Sequence, residues 1–173
     1  DVATVSRNPS QGIEQSVLSL GRRYTHHMAD LTKRDQTKAV IPEVVKKMGT
    51  VNILVNSSGI CPRCPAKDFS ESEWDLTMEI DLNAAFILSQ AAGHFMLKKG
   101  QGKIINIASV LAFQGGINIP AYAASKHGVA GITKALSNEW ARKGVNVNAI
   151  ASGYIATQFI DALMKAPDRS KAI

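Results

Sequence analysis

At 173 residues the chain reads as one domain long enough to bury a sizeable core, and its 45% hydrophobic and 20% charged residues suit a globular rather than a disordered protein. No apolar run reaches the ~18 residues of a membrane span, and Asp1-Val2-Ala3-Thr4-Val5 carries no basic leader, so the cytoplasm is the expected compartment, with no membrane partner. The formal charge of +6 raises nucleic acid, but the cations sit in pairs ahead of glycines, Lys46-Lys47 before Gly49, Lys98-Lys99 before Gly100 and Arg142-Lys143 before Gly144, where they complement helix C-termini, and no nucleic-acid partner is expected.

Val2 to Val5 is a β-prone run that ends at the polar turn Ser6-Arg7-Asn8-Pro9. A helical stretch through Ile13, Val17 and Leu20 follows, then an extended segment from Tyr24 to Met28 that ends at Asp30-Leu31. Thr32 is placed to cap the next helix, which carries Val40, Val44, Val45 and Met48 and stops at Gly49. Val51 to Val55 has the apolar character of a strand buried on both faces and breaks at Asn56-Ser57-Ser58-Gly59. Cys61-Pro62-Arg63-Cys64 lacks a second cysteine pair and a following helix, so it reads as two reduced thiols in a loop and no metal site is expected.

Ser70-Glu71-Ser72-Glu73 has capping-box spacing. Beyond it, Leu82, Ala85, Phe86, Ser89, Ala92 and Met96 trace one face of a long helix. The run Lys103 to Ser109 is a strand, Tyr122 opens a helix through Val129, Ile132, Leu136 and Trp140, and Val145 to Ile150 alternates as a last strand ending at Ala151-Ser152-Gly153. Strands alternating with helices, with no internal repeat, predict an α/β domain with a doubly wound parallel sheet covered on both faces. Ligands of such sheets bind beyond the carboxyl ends of the strands, where Ser6-Arg7, Asp30-Leu31, Asn56 to Gly59, Ser109 and Ser152-Gly153 all fall.

Residues four apart on a helix share a face, so Lys126 is expected beside Tyr122, where its ammonium would favour the ionised phenol and bring it into range for acid/base work. Ser109 would give a hydrogen bond to the reacting oxygen. Tyr-x-x-x-Lys alone is ordinarily an exposed helix face; the serine at a strand end and the glycine turn give it weight.

Ser109, Tyr122 and Lys126 in this order, together with Asn56 to Gly59 after a strand, resemble the short-chain dehydrogenase/reductase family from Asp1 to about Ile173. The resemblance implies a Rossmann-like, NAD(P)-dependent oxidoreductase that interconverts a secondary alcohol and a ketone by hydride transfer. Tyr122 would move the substrate proton, Ser109 polarise the carbonyl, and Lys126 lower the tyrosine pKa and hold the nicotinamide ribose. The implied cofactor contacts are Arg7, Asp30, Leu31, Asn56, Gly59, Tyr122, Lys126, Gly153, Ile155 and Thr157. Arg7 stands where an arginine accommodates the 2′-phosphate, so NADP is the expected cofactor, with NAD open.

The segments Leu111 to Gly116 and Asn138 to Ala141 resemble the branch acting on gluconate-type sugar acids, 2-dehydro-3-deoxy-D-gluconate 5-dehydrogenases and 2-deoxy-D-gluconate 3-dehydrogenases among them. A generic carbonyl or 3-oxoacyl reductase is the alternative within the family. A homodimer or homotetramer is implied, since relatives pair the helices carrying Leu82-Phe86-Met96 and Val129-Leu136-Trp140.

The chain departs from the family at both ends and at two positions. The family's first strand and glycine-rich phosphate turn would precede Asp1, and its last strand would follow Ile173, so the domain, 1–173, reads as truncated at both ends, with a slot expected in the sheet. A non-catalytic interaction module or fragment is therefore a second reading. Asp81 stands at a catalytic asparagine's place and Ser152 at a proline's; Asn83, two places from Asp81, should face elsewhere.

Overall fold

The computed structural model describes residues 1–9 and 11–155. Five strands alternate with helices in the order β1 (Val2–Ser6), α1 (Gln11–Ser19), β2 (Tyr24–Met28), α2 (Arg34–Met48), β3 (Ile53–Asn56), α3 (Glu71–Met78), α4 (Ala84–Lys99), β4 (Gly102–Ile107), α5 (Pro120–Trp140) and β5 (Val145–Ile150). A π-helical turn, Glu79–Asn83, joins α3 to α4.

The helix ends follow their local chemistry. Ser70 Oγ accepts from Glu73 N at 3.2 Å and starts α3. Gly49 and Gly100 close α2 and α4 in left-handed conformations, φ 84° and 68°, each after a pair of lysines that faces the helix's negative end. Thr32 does not cap α2. The cap position is Lys33, without a side-chain bond, while the Thr32 N–H closes a turn on the Asp30 carboxylate at 3.0 Å.

All strand pairs are parallel, but they form two sheets, β1-β2 and β3-β4-β5. Between the facing edges of β1 and β3 lies a cleft of about 850 Å³, walled by Ala3, Val5, Leu54, Val40, Val44 and Leu88, the slot expected of a sheet lacking one strand. The expectation that Val51 to Val55 is buried on both faces fails. Ile53 and Val55 are exposed, because helices pack only one face of β3-β4-β5 among the described residues. On the packed face Ile104, Val145 and Val147 are buried with Val40, Val44, Met96 and Trp140. Burial of a side chain of Met96's size stabilises by ~2 kcal/mol.

Gly93 of α4 lies under Trp140 of α5, where a Cβ would come within 2.6 Å of the indole; only glycine allows this helix contact. Met96, Val129, Leu136 and Trp140, on the helix faces expected to pair with a second copy, are buried in the fold itself. Phe86, placed on the buried face of α4, is instead exposed. None of the helices among the described residues is long and apolar enough to cross a membrane.

Candidate active site

Behind the strand ends, a buried polar network clamps the elements that carry the site. Asn56 Nδ2 of β3 donates to Asn106 Oδ1 of β4 at 2.8 Å and reaches Ser89 Oγ of α4 at 3.0 Å; Asn106 Nδ2 donates to Thr133 Oγ1 of α5 at 2.9 Å. A buried amide left unpaired costs ~1–3 kcal/mol, so these bonds fix β3, β4, α4 and α5 relative to one another. The side chain predicted at Asn56 to touch a cofactor is thus turned inward. Asn106 and Thr133 were legible only as polar residues on otherwise apolar faces.

The chain leaves β4 into Ser109, whose Oγ accepts from Leu111 N at 3.2 Å. Val110 N donates to Ser152 O at 3.0 Å, which ties this loop to the end of β5. Pro120 starts α5, its fixed φ suited to a first turn, and Tyr122 follows within that turn. Cys64 N donates to Asn118 O at 2.9 Å, so the loop after β3 is drawn over the approach to α5.

These connections enclose a cleft of about 460 Å³ lined by Ser109, Tyr122, Lys126, Gly59, Gly153 and Ile155, and also by Cys61, Arg63 and Tyr154. Six of the expected residues therefore meet in one place. Cys61 and Arg63 went unnamed as site residues because a Cys-x-x-Cys loop gives no hint of which cavity it borders. Both cysteines are free thiols, and no group of metal-binding side chains occurs among the described residues. Leu31 and Asn56 line the neighbouring slot, with Ser57 shared by both cavities. Arg7 is exposed just beyond β1, and its charge helps hold the nearby Asp30 carboxyl below its usual value, an effect due first to the Thr32 N–H bond. Thr157 lies outside the described residues.

Lys126 and Asp81 are 4% and 1% exposed and form an ion pair, Nζ to Oδ2 3.8 Å. The ammonium also donates to Ile107 O at 2.9 Å and lies 5.4 Å from the centre of the Tyr122 ring. Asp81 Oδ1 accepts from Ile60 N at 2.8 Å. Asn83 points away and donates to Glu79 at 2.7 Å, and Glu79 in turn holds Arg34 through two bonds of 2.7 Å.

Burial pushes the Asp81 carboxyl up to about 6, against the opposing pull of Lys126 and the Ile60 N–H. Burial likewise lowers the Lys126 ammonium, which Asp81 partly restores. Tyr122 corrects an expectation: its phenol is raised, not lowered, because burial outweighs the hydrogen bond from Ser109, and the nearby Cys61 and Asp81 add to the rise. A lysine paired with a carboxylate presents little net charge to its neighbour.

The Asp81 shift links stability to pH. The folded chain holds this proton more tightly than the unfolded one, so the associated stability is complete below pH 3.8 and is lost as pH rises through about 6. Asp81→Asn is expected to remove that loss, roughly 3 kcal/mol over the window. Urea midpoints of parent and variant across these pH values check it, and a constant difference would show that Asp81 does not titrate there.

A nicotinamide fits the cleft better than the slot. Gly153 has open space where a side chain would project, and Gly59 is backed by Asp81 so closely that a Cβ would lie 3.2 Å from Oδ2, which leaves bare backbone on this wall. On the phosphate side the described residues offer Ser57 and Ser58 at the slot but no glycine-rich helix start.

Comparison with known proteins agrees with this geometry. The short chain dehydrogenase family model matches residues 1–168. The 2-dehydro-3-deoxy-D-gluconate 5-dehydrogenase of Escherichia coli (strain K12) is 47% identical over 166 residues, which are 95% of this chain and 65% of that protein. The enzyme of the same name from Bacillus subtilis (strain 168) is 51% identical over 144 residues, 83% of this chain and 56% of its own length. The chain thus spans less than two thirds of these curated relatives. A gluconate 5-dehydrogenase from Burkholderia cenocepacia J2315, crystallised with NADP and tartrate, superposes with a TM-score of 0.90 at 32% identity, covering 98% of this chain and 68% of that one. With the family model matched over nearly its whole length and Ser109, Tyr122 and Lys126 gathered at one strand-end cleft, this chain belongs to the short-chain dehydrogenase family.

Proposed function

We propose that this chain is the substance of an NADP-preferring oxidoreductase that interconverts a secondary alcohol and a ketone on a gluconate-type sugar acid. The observation that carries this reading is the convergence of Ser109, Tyr122 and Lys126 on one cleft that also presents Arg63. Ser109 donates to the substrate oxygen and fixes it beside Tyr122 Oη. Tyr122 gives its proton to the oxygen of a ketone, or takes one from an alcohol, and burial, by pushing its ionisation to higher pH, favours the proton-bearing form near neutral pH. Lys126, Gly59 and Gly153 would hold the nicotinamide half of the cofactor, which supplies or accepts a hydride when bound.

Sugar-acid specificity draws on two supports. Arg63, on the cleft wall, is a cation, which suits a carboxylate. The relatives from Escherichia coli and Bacillus subtilis are 2-dehydro-3-deoxy-D-gluconate 5-dehydrogenases. NADPH oxidation assayed against 2-dehydro-3-deoxy-D-gluconate, 5-dehydro-D-gluconate, a neutral keto-sugar and a 3-oxoacyl thioester tests the reading. Preference for the thioester would reject it in favour of an acyl reductase.

The slot between β1 and β3 favours a second reading, in which residues 1–173 alone are a non-catalytic piece of a dehydrogenase fold. Turnover by residues 1–173 at saturating NADPH separates the two.

Arg7 stands at the end of β1 as an exposed cation, in keeping with a 2′-phosphate partner. Arg7→Asp is expected to lower the NADP-to-NAD preference by roughly tenfold or more, since a carboxylate there repels the phosphate and accepts from a ribose hydroxyl. Equal discrimination before and after the change, measured by titration calorimetry with both nucleotides, would show Arg7 to be a solvated loop residue.

A further inference from the structure

Among the described residues Asp81 is the one buried acid at the site, and the acid/base chemistry above gives it no part. It sits on the π-helical turn ahead of α4, held by the Ile60 N–H, with Ser125 of α5 also favouring its ionised form. Oδ2 faces Lys126 Nζ at 3.8 Å. Gly59 lies on the other side, where an added Cβ would come within 3.2 Å of Oδ2.

We propose that Asp81 is a positioning residue that holds the Lys126 ammonium inward against the end of β4 and offsets its charge at Tyr122, which keeps the phenol in its proton-donating form. The lysine has two inward anchors, the Ile107 carbonyl and the Asp81 carboxylate, and both lie behind the cleft. An anion beside a cation leaves a dipole, whose field falls off faster with distance than that of the cation alone. An asparagine, neutral and of the same shape, would leave the ammonium uncompensated and free to stabilise a phenolate.

The other charged and titratable groups around Asp81 do not take over this part. Cys61, from the loop after β3, acts on Tyr122 in the same sense as Asp81, but burial raises its thiol, so it adds to the effect only where the thiol ionises, at higher pH than Asp81. Arg63, on the same loop, acts on Tyr122 in the opposite sense, favouring the phenolate. Glu79, on the π turn itself, is occupied by Arg34 and Asn83. Tyr122 and Lys126 complete the set on α5.

This inference rests on Tyr122 as the proton-transferring group, and its test reads the phenol directly so that the two fail separately. The near-ultraviolet phenolate absorbance of Tyr122 is obtained by subtracting the matched Tyr122→Phe titration, for the parent chain and for Asp81→Asn. Tyr122 is expected to ionise at lower pH in Asp81→Asn and at higher pH in Lys126→Met, and the alcohol-oxidation profile of Asp81→Asn should move to lower pH in step. A role confined to folding would lower turnover without moving either titration. The unmodified chain gives an independent reading: the Tyr122 Cζ carbon resonance should show a step near pH 6 as Asp81 titrates. An unmoved phenol titration in Asp81→Asn, or a Cζ resonance flat through that region, overturns the proposal.

Discussion

Tyr122→Phe is expected to lower turnover by roughly 10²- to 10⁴-fold, the range general acid/base catalysis contributes, while nucleotide affinity stays within about twofold of the parent. The substitution removes one oxygen from a half-buried ring in the first turn of α5 and leaves Lys126 on its two anchors. Ser109 loses its bond to the phenol but keeps the one from Leu111 N, so its loop retains a local anchor. Single-turnover kinetics at saturating nucleotide, with affinity measured separately by fluorescence, distinguish lost chemistry from lost binding. Turnover within tenfold of the parent would remove Tyr122 as the proton-transferring residue.

Residues 1–173 by themselves are expected to bind NADPH more weakly than micromolar, and a segment that fills the slot is expected to raise affinity by roughly 100-fold. The slot is walled by residues of β1 and β3, with apolar residues of α2 and α4 beneath, so its expected complement is an extended apolar strand. A glycine-rich turn at that strand's carboxyl end would bring backbone N–H groups to the pyrophosphate beside Ser57 and Ser58. Fusing such a strand and turn upstream of Asp1 and repeating the nucleotide titration tests this. Micromolar binding by the unextended chain would mean that the cleft, Arg7 and the strand ends suffice.

Much of the site was legible because its signals are local. Ser109 at a strand end and Tyr122 and Lys126 four apart on a helix are spacings that backbone geometry converts directly into neighbours. The same holds for β2, for the Ser70 cap of α3 and for the left-handed glycines after the lysine pairs, where a side chain and its partner backbone are a few residues apart. The split sheet followed from the family resemblance, whose strand order places a further strand between β1 and β3.

Other features depend on which surfaces meet. Hydrophobicity marked Ile53, Val55 and Phe86 for burial, yet they are exposed, because burial needs a neighbouring layer as well as an apolar side chain. Arg63 and Cys61 border the cleft only because the loop after β3 is bonded across to Asn118. The sign of the Tyr122 shift was the sharpest difference. Residue spacing by itself determined that a lysine would stand near that phenol; only the tertiary structure decided what charge the phenol meets, by burying Asp81 against the lysine and withdrawing water from all three, and desolvation and pairing belong to a packed environment, not to a spacing along the chain.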